Sequence, residues 1–146
     1  MTDLNRARRN RDVVERFLAG THSPILSDVD VIDDTVAKTV TCHGFPGGDP
    51  HDHDSYKAFF RTFRASFTNM EFDTFSLVAD DTYVNARFRV TVDHTGPFAG
   101  QAPTGKRVSF EGMALYRLND GKIEETWLQL DQLALLTQIG ALPLAA

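Results

Sequence analysis

The sequence predicts an α+β fold, with helices gathered at the N-terminus and an antiparallel sheet formed by the rest of the chain. Three observations predict it. Apolar residues recur every three to four positions through residues 4–18, and again at Tyr56, Phe59, Phe60, Phe63 and Phe67, which is helical spacing. From residue 70 onward β-branched and aromatic residues alternate with polar ones between turn signals, the pattern of strands. Asn119-Asp120-Gly121 marks a tight hairpin, because these residues tolerate the positive φ such turns require.

The elements follow in order. Residues 4–18 place Val13, Val14, Phe17 and Leu18 on one side and arginines elsewhere, and Gly20 and Pro24 end the helix. Residues 29–40 predict a second, shorter helix, with Val29, Ile32, Val36 and Val40 at spacings of three and four behind aspartates. It runs into an extended piece carrying Thr41, Cys42 and His43. GFPGGDPHDHD has three glycines, two prolines and no periodicity, so it is a loop. The Phe-rich third helix takes Asp54 or Ser55 as its cap. Four strands follow, over residues 71–78, 83–93, 107–118 and 122–130.

A chain of 146 residues, 42% hydrophobic and 24% charged, has the length and composition of one globular domain, residues 1–146. The net charge of −5 argues against nucleic acid or an anionic membrane as partner. A small-molecule substrate is the expected class. Cys42 is the single cysteine, so neither an internal disulfide nor a zinc finger is expected. With no apolar run of membrane-spanning length and no apolar leader, a cytoplasmic protein is expected. Five arginines, Arg6, Arg8, Arg9, Arg11 and Arg16, read as a solvated helix face in preference to a basic tail.

The last strand is the most informative. If alternation holds to its end, Ile123, Glu125, Trp127, Gln129 and Asp131 share one face. On a concave face, a carboxylate beside an indole is partly desolvated and so prepared for proton transfer. The alternative is that this is the wet outer face.

HTGPFAG, PTGKRV, the strand over residues 112–117, DGKIEE with Trp127, and Asp131 followed by LLTQIG together resemble the SnoaL-like polyketide cyclase (ester cyclase) family. The two N-terminal helices and the Phe-rich helix sit in matching order, so the resemblance covers nearly all of the chain. It implies the cone-shaped α+β barrel shared with ketosteroid isomerase and nuclear transport factors, a curved sheet wrapped around helices. It also implies cofactor-free, metal-free closure of a ring in an anthracycline-type aromatic polyketide ester by intramolecular aldol condensation. An Asp at the end of the last long strand is the family's acid/base, and it matches Asp131. A homo-oligomer, dimer or tetramer, is implied as well, and Phe88, Val90 and Val92 are the apolar residues offered for packing sheets together. The chain departs from the family in having Val92-Asp93-His94 where Gly-Thr-His is common.

The remaining candidates are weighed by their chemistry. His94 is expected to assist Asp131 as a neutral imidazole donor to the developing enolate, the alternative being a tie for the loop before Pro97. Trp127, Gln129 and His43 are expected to bind substrate. His51, Asp52, His53 and Asp54 are adjacent on a glycine-flanked loop, a poor preset for a metal, and no metal is expected. Arg87 or Arg89 with Asp93 and Asp131 would suit an epoxide-hydrolase-like reaction, the second enzymatic reading. A hydroxylation component and a non-catalytic ligand-binding module of the same fold are the others. Cys42 lacks a nucleophile motif, and the phenylalanine stripe reads as core.

Overall fold

The computed structural model describes residues 2–142. Helix α1 (Leu4–Thr21) starts at Asp3, whose carboxylate accepts from the N–H groups of Asn5 and Arg6, and it buries Val13, Val14, Phe17 and Leu18. A 3₁₀ turn (Leu26–Val31) and the four-residue α2 (Ile32–Thr35) follow, then β1 (Val36–His43). The predicted second helix is therefore shorter than its periodicity suggested. Val36 and Val40 are β-branched and lie on the buried side of β1, where spacing four serves a strand face as well as a helix face.

Helix α3 (His53–Ser66) is opened by Asp52 rather than by Asp54 or Ser55. Asp52 accepts from the Ser55 N–H at 2.8 Å while the Ser55 hydroxyl accepts from the Asp52 N–H at 3.1 Å, a reciprocal capping box. The helix stops before Phe67, the first residue of β2 (Phe67–Ala79). Strands β3 (Tyr83–His94), β4 (Arg107–Asn119) and β5 (Lys122–Leu130) match the predicted strands, and α4 (Gln132–Gln138) closes the described chain. Asp120 and Gly121, both at positive φ (54° and 75°), form the two-residue turn between β4 and β5.

The sheet order is β1-β5-β4-β3-β2. It is mixed, because the edge strand β1 runs parallel to β5, where only antiparallel pairing was expected. Glycine is required where β1 ends: a Cβ on Gly44 would lie 2.2 Å from the Leu128 carbonyl oxygen. The inner face carries Phe88, Val90 and Val92 of β3 and Phe110, Ala114 and Tyr116 of β4, all buried against the helices. These three β3 residues, expected to pack sheet against sheet, thus form core instead.

A bulge in β5 decides which side chains face inward. Leu118 pairs with Ile123 but Arg117 pairs with Glu125, so Glu124 is an extra residue and the alternation slips by one. Ile123 points into the core, and beyond the bulge the inward positions become Thr126, Leu128 and Leu130.

Candidate functional site

Between the helices and the concave face lies an aromatic cavity. Phe17 and Leu18 of α1, Phe45 of the following loop, Tyr56, Phe59, Phe60 and Phe63 of α3, and Phe88, Phe110 and Tyr116 of the sheet line it, with Met70, Thr126, Leu128 and His22. The centre of a water-sized sphere can occupy about 50 Å³ of it. Phe59 and Phe63 also line a wider vestibule of about 620 Å³, bounded by residues 46–51, Ser55, Phe98, Gln132 and Leu136. Its volume falls in the roughly 300–1,000 Å³ range of small-molecule sites. Residues 46–51 of the polar GFPGGDPHDHD segment thus form one wall of this pocket, held in shape by Asp49, which accepts from the Phe45 N–H at 2.9 Å.

The polar groups of the inner cavity are few. Tyr56 donates to the Thr126 hydroxyl at 3.3 Å. Burial pushes the hydroxyls of Tyr56 and Tyr116 upward in pKa, so both stay protonated and available as donors. Tyr116 lines the cavity, and its hydroxyl makes no hydrogen bond to another described residue. Burial raises the nearby Cys42 thiol to about 12, so it is no nucleophile. His22, at the end of α1, has Nδ1 2.9 Å from the Leu18 carbonyl oxygen and lies stacked on Phe72 at 3.8 Å between centroids. Burial, reinforced by the charge of Arg64 and opposed by the Leu18 hydrogen bond, lowers its pKa to about 4. The inner cavity therefore contains no ionised side chain.

The residues singled out in the sequence lie elsewhere. Asp131 is exposed, beside Arg87, Glu111, Met113 and Gln129 on the convex face, and its carboxylate accepts from the Ala134 N–H at 3.0 Å as the cap of α4. Its expected place on the concave face is corrected by the bulge at Glu124. Trp127 and Gln129 are displaced outward by the same slip. Trp127 stacks on His43, centroids 5.4 Å apart, and His43 Nε2 is 2.7 Å from Glu125, which also pairs with Arg117 at 3.2 Å. The hydrogen bond from His43 is the first cause holding the Glu125 carboxyl below its ordinary range, with Arg117 assisting.

His94 faces inward but lines neither compartment. Its Nδ1 accepts from the Thr104 N–H at 3.2 Å, and its backbone pairs with Gly105 and Lys106, so it ties down the loop over residues 95–105. Its Nε2 is buried without a partner among the described residues. Arg87 and Arg89 pair with Glu111 and Asp73, and Asp93 pairs with Arg107. Ion pairs across the convex face thus take up the arginines and Asp93 named for an epoxide-hydrolase-like site, while Asp131 caps α4. In the loop, Asp52 caps α3, and His53 contacts the Val36 carbonyl at 2.6 Å and Asp33 at 3.3 Å.

Comparison with known proteins places this architecture. The sequence model of the SnoaL-like polyketide cyclases matches residues 13–139. The chain belongs to that family. Among solved structures, a protein from Jannaschia sp. CCS1 assigned as a SnoaL-like polyketide cyclase is similar with a TM-score of 0.84 and 23% identity, over 94% of this chain and 95% of the other. AclR from Streptomyces galilaeus, assigned as a hydroxylase, gives 0.79 and 24%, over 96% and 86%. IdmH from Streptomyces antibioticus, assigned as a polyketide cyclase, gives 0.77 and 22%, over 90% and 98%. No curated protein matches the chain in sequence. At these identities the structures establish the shared α+β cone. Within this SnoaL-like chain, the cavity residues His22, Tyr56, Tyr116 and Thr126 were not singled out as site residues from sequence. The one signal available was parity: Thr126 and Tyr116 are polar members of otherwise apolar strand faces. No helix among the described residues is long and apolar enough to cross a membrane.

Proposed function

We propose that the chain binds an uncharged polycyclic aromatic polyketide ester and promotes closure of a ring in it by proton transfer. One observation supports this reading above others: a phenylalanine-lined cavity without ionised groups shares Phe59 and Phe63 with a neighbouring pocket large enough for a fused-ring ligand. A carboxylate ligand in the inner cavity would lose its hydration with no cation to replace it, a cost of several kcal/mol or more. A planar neutral ring system loses little and gains aromatic contacts. Ring closure suits what remains, because a methylene activated by an ester and a ring carbonyl yields its proton to a weak base. Tyr116, protonated and lining the cavity, serves in this reading as the donor to the oxygen on which charge develops.

A second reading, a ligand-binding module without chemistry, is favoured by the position of Asp131 outside the cavity. Turnover of an anthraquinone-type polyketide methyl ester separates the two. The cyclase reading expects ring closure by the native protein, retained within about two-fold in Asp131→Asn and reduced on the order of 10²-fold in Tyr116→Phe, the usual cost of one lost oxyanion donor. Binding without closure supports the module. Loss of closure in Asp131→Asn with Tyr116→Phe unaffected would return the chemistry to the convex face.

A further inference from the structure

We infer that His22 is the base of the inner cavity, taking the proton through Nε2. The inference rests on the ring-closure reading above and assigns a residue to its first step.

Four observations converge on this residue. His22 lines the cavity. Its Nδ1 lies 2.9 Å from the Leu18 carbonyl oxygen and 3.0 Å from the Thr21 hydroxyl, whose hydrogen goes to the Phe17 carbonyl at 2.8 Å; both neighbours accept from the ring, so Nδ1 carries the hydrogen and Nε2 presents a lone pair. Nε2 has no partner among the described residues, and the residue is only partly buried. The ring is held in place on both sides, stacked on Phe72 and edge-on to Phe60 at 5.4 Å.

The other polar groups in the cavity do not compete for the role. Tyr56 and Tyr116 are held protonated by burial, and Thr126 does not ionise. The basicity of His22 suits the reaction. With its conjugate acid lowered to about 4, the imidazole has the strength of a carboxylate, and a carboxylate with pKa about 4.6 serves as the carbon-acid base of ketosteroid isomerase. Unlike a carboxylate, a neutral imidazole enters an apolar cavity without an ionic desolvation cost. The charged groups around it are Arg64 of α3, which donates to the Ser23 carbonyl next to it, and Asp28 of the 3₁₀ turn, which offsets Arg64 and accepts from the Ser23 hydroxyl at 2.6 Å. From β2 the ring meets the uncharged Phe72.

The step balances within substrate and side chain. Nε2 takes a proton from the activated methylene, and the C–H electron pair becomes the enolate. The enolate carbon bonds to the ketone carbon, and the imidazolium returns its proton to the resulting alkoxide. No other reactant enters.

The test compares the native protein with His22→Gln on an anthraquinone-type polyketide methyl ester, reading kcat, KM and the pH profile, with circular dichroism to establish folding. In the native protein kcat/KM is expected to hold down to pH 5 and fall with an apparent pKa near 4. In His22→Gln, kcat is expected to fall about 10²- to 10⁴-fold with little change in KM. An acid limb centred between pH 6 and 7 in the native protein, or a folded Gln variant with near-native kcat, overturns the assignment of His22 while leaving the cyclase reading intact. If the Gln variant does not fold, His22→Asn is read in its place by the same loss of kcat, because an acid limb near pH 4 does not separate this imidazole from a carboxylate. Binding of the ester without closure by the native protein overturns the cyclase reading, and the assignment with it.

Discussion

At the residue scale, the cavity is defined by what burial does to its few polar side chains. His22 shows the consequence most clearly. Its pKa in the folded protein is near 4 against 6.5 in an exposed chain, because the charged ring cannot be solvated where it lies. Between these values the unfolded chain binds a proton that the native state refuses, so stability is full above pH 6.5, falls as pH drops, and levels off below about 4. From pH 7 to pH 5 the contribution amounts to at most about 2 kcal/mol. Urea midpoints for the native protein and His22→Phe at both pH values measure it. The native protein is expected to lose up to that much more than the variant, and equal losses would mean that the ring is solvated. In the sequence this residue is one histidine among five, just past the last turn of a helix. Nothing in spacing marks a ring whose importance comes from contacts with Phe60 and Phe72, distant in the chain.

At the element scale, secondary structure was largely legible and facing was not. Periodicity located α1, α3 and four strands within a few residues, because each presents a continuous apolar stripe to the same core. It failed at residues 29–40, where a turn, a short helix and β1 share apolar spacing, and it missed the parallel pairing of β1, which depends on contacts with a strand eighty residues later. The consequential error was in β5. Strict alternation put Ile123 and Asp131 on one face, whereas the extra residue Glu124 separates them, and no local residue signal announces a bulge.

The end of β5 illustrates how the edge is then managed. β4 continues past it, and Gln138 of α4 takes the place of a strand: its Oε1 accepts from the Ser109 N–H at 3.0 Å and its Nε2 donates to the Ser109 carbonyl at 2.7 Å. Gln138→Leu keeps similar bulk but leaves both half-buried backbone groups unpaired. A loss of about 1–3 kcal/mol is expected, read as a lowered urea midpoint. An unchanged midpoint would mean that water serves Ser109 equally well.

At the scale of the whole molecule, the cone was legible in the order of elements and in the motifs shared with the family, while the site was legible only in class. The Phe-rich helix, whose stripe reads as core, proves to be both core and cavity wall, while the aromatic ligand was implied by the family resemblance alone. The convex face reads differently once its partners are known. Arg87, Arg89, Arg107 and Arg117 are each paired with acidic residues there, which makes the mixed polar parity a solvated ion-pair surface. The two faces are tagged by methionines: Met70 lines the inner cavity, and Met113 lies beside Asp131 on the convex side. Titrating ¹³C-methyl-methionine protein with an anthraquinone-type polyketide methyl ester therefore tests directly which face holds the ligand. The expected result is a saturable shift of the Met70 methyl signal with Met113 unmoved, and a saturable shift of Met113 with Met70 unmoved would contradict it.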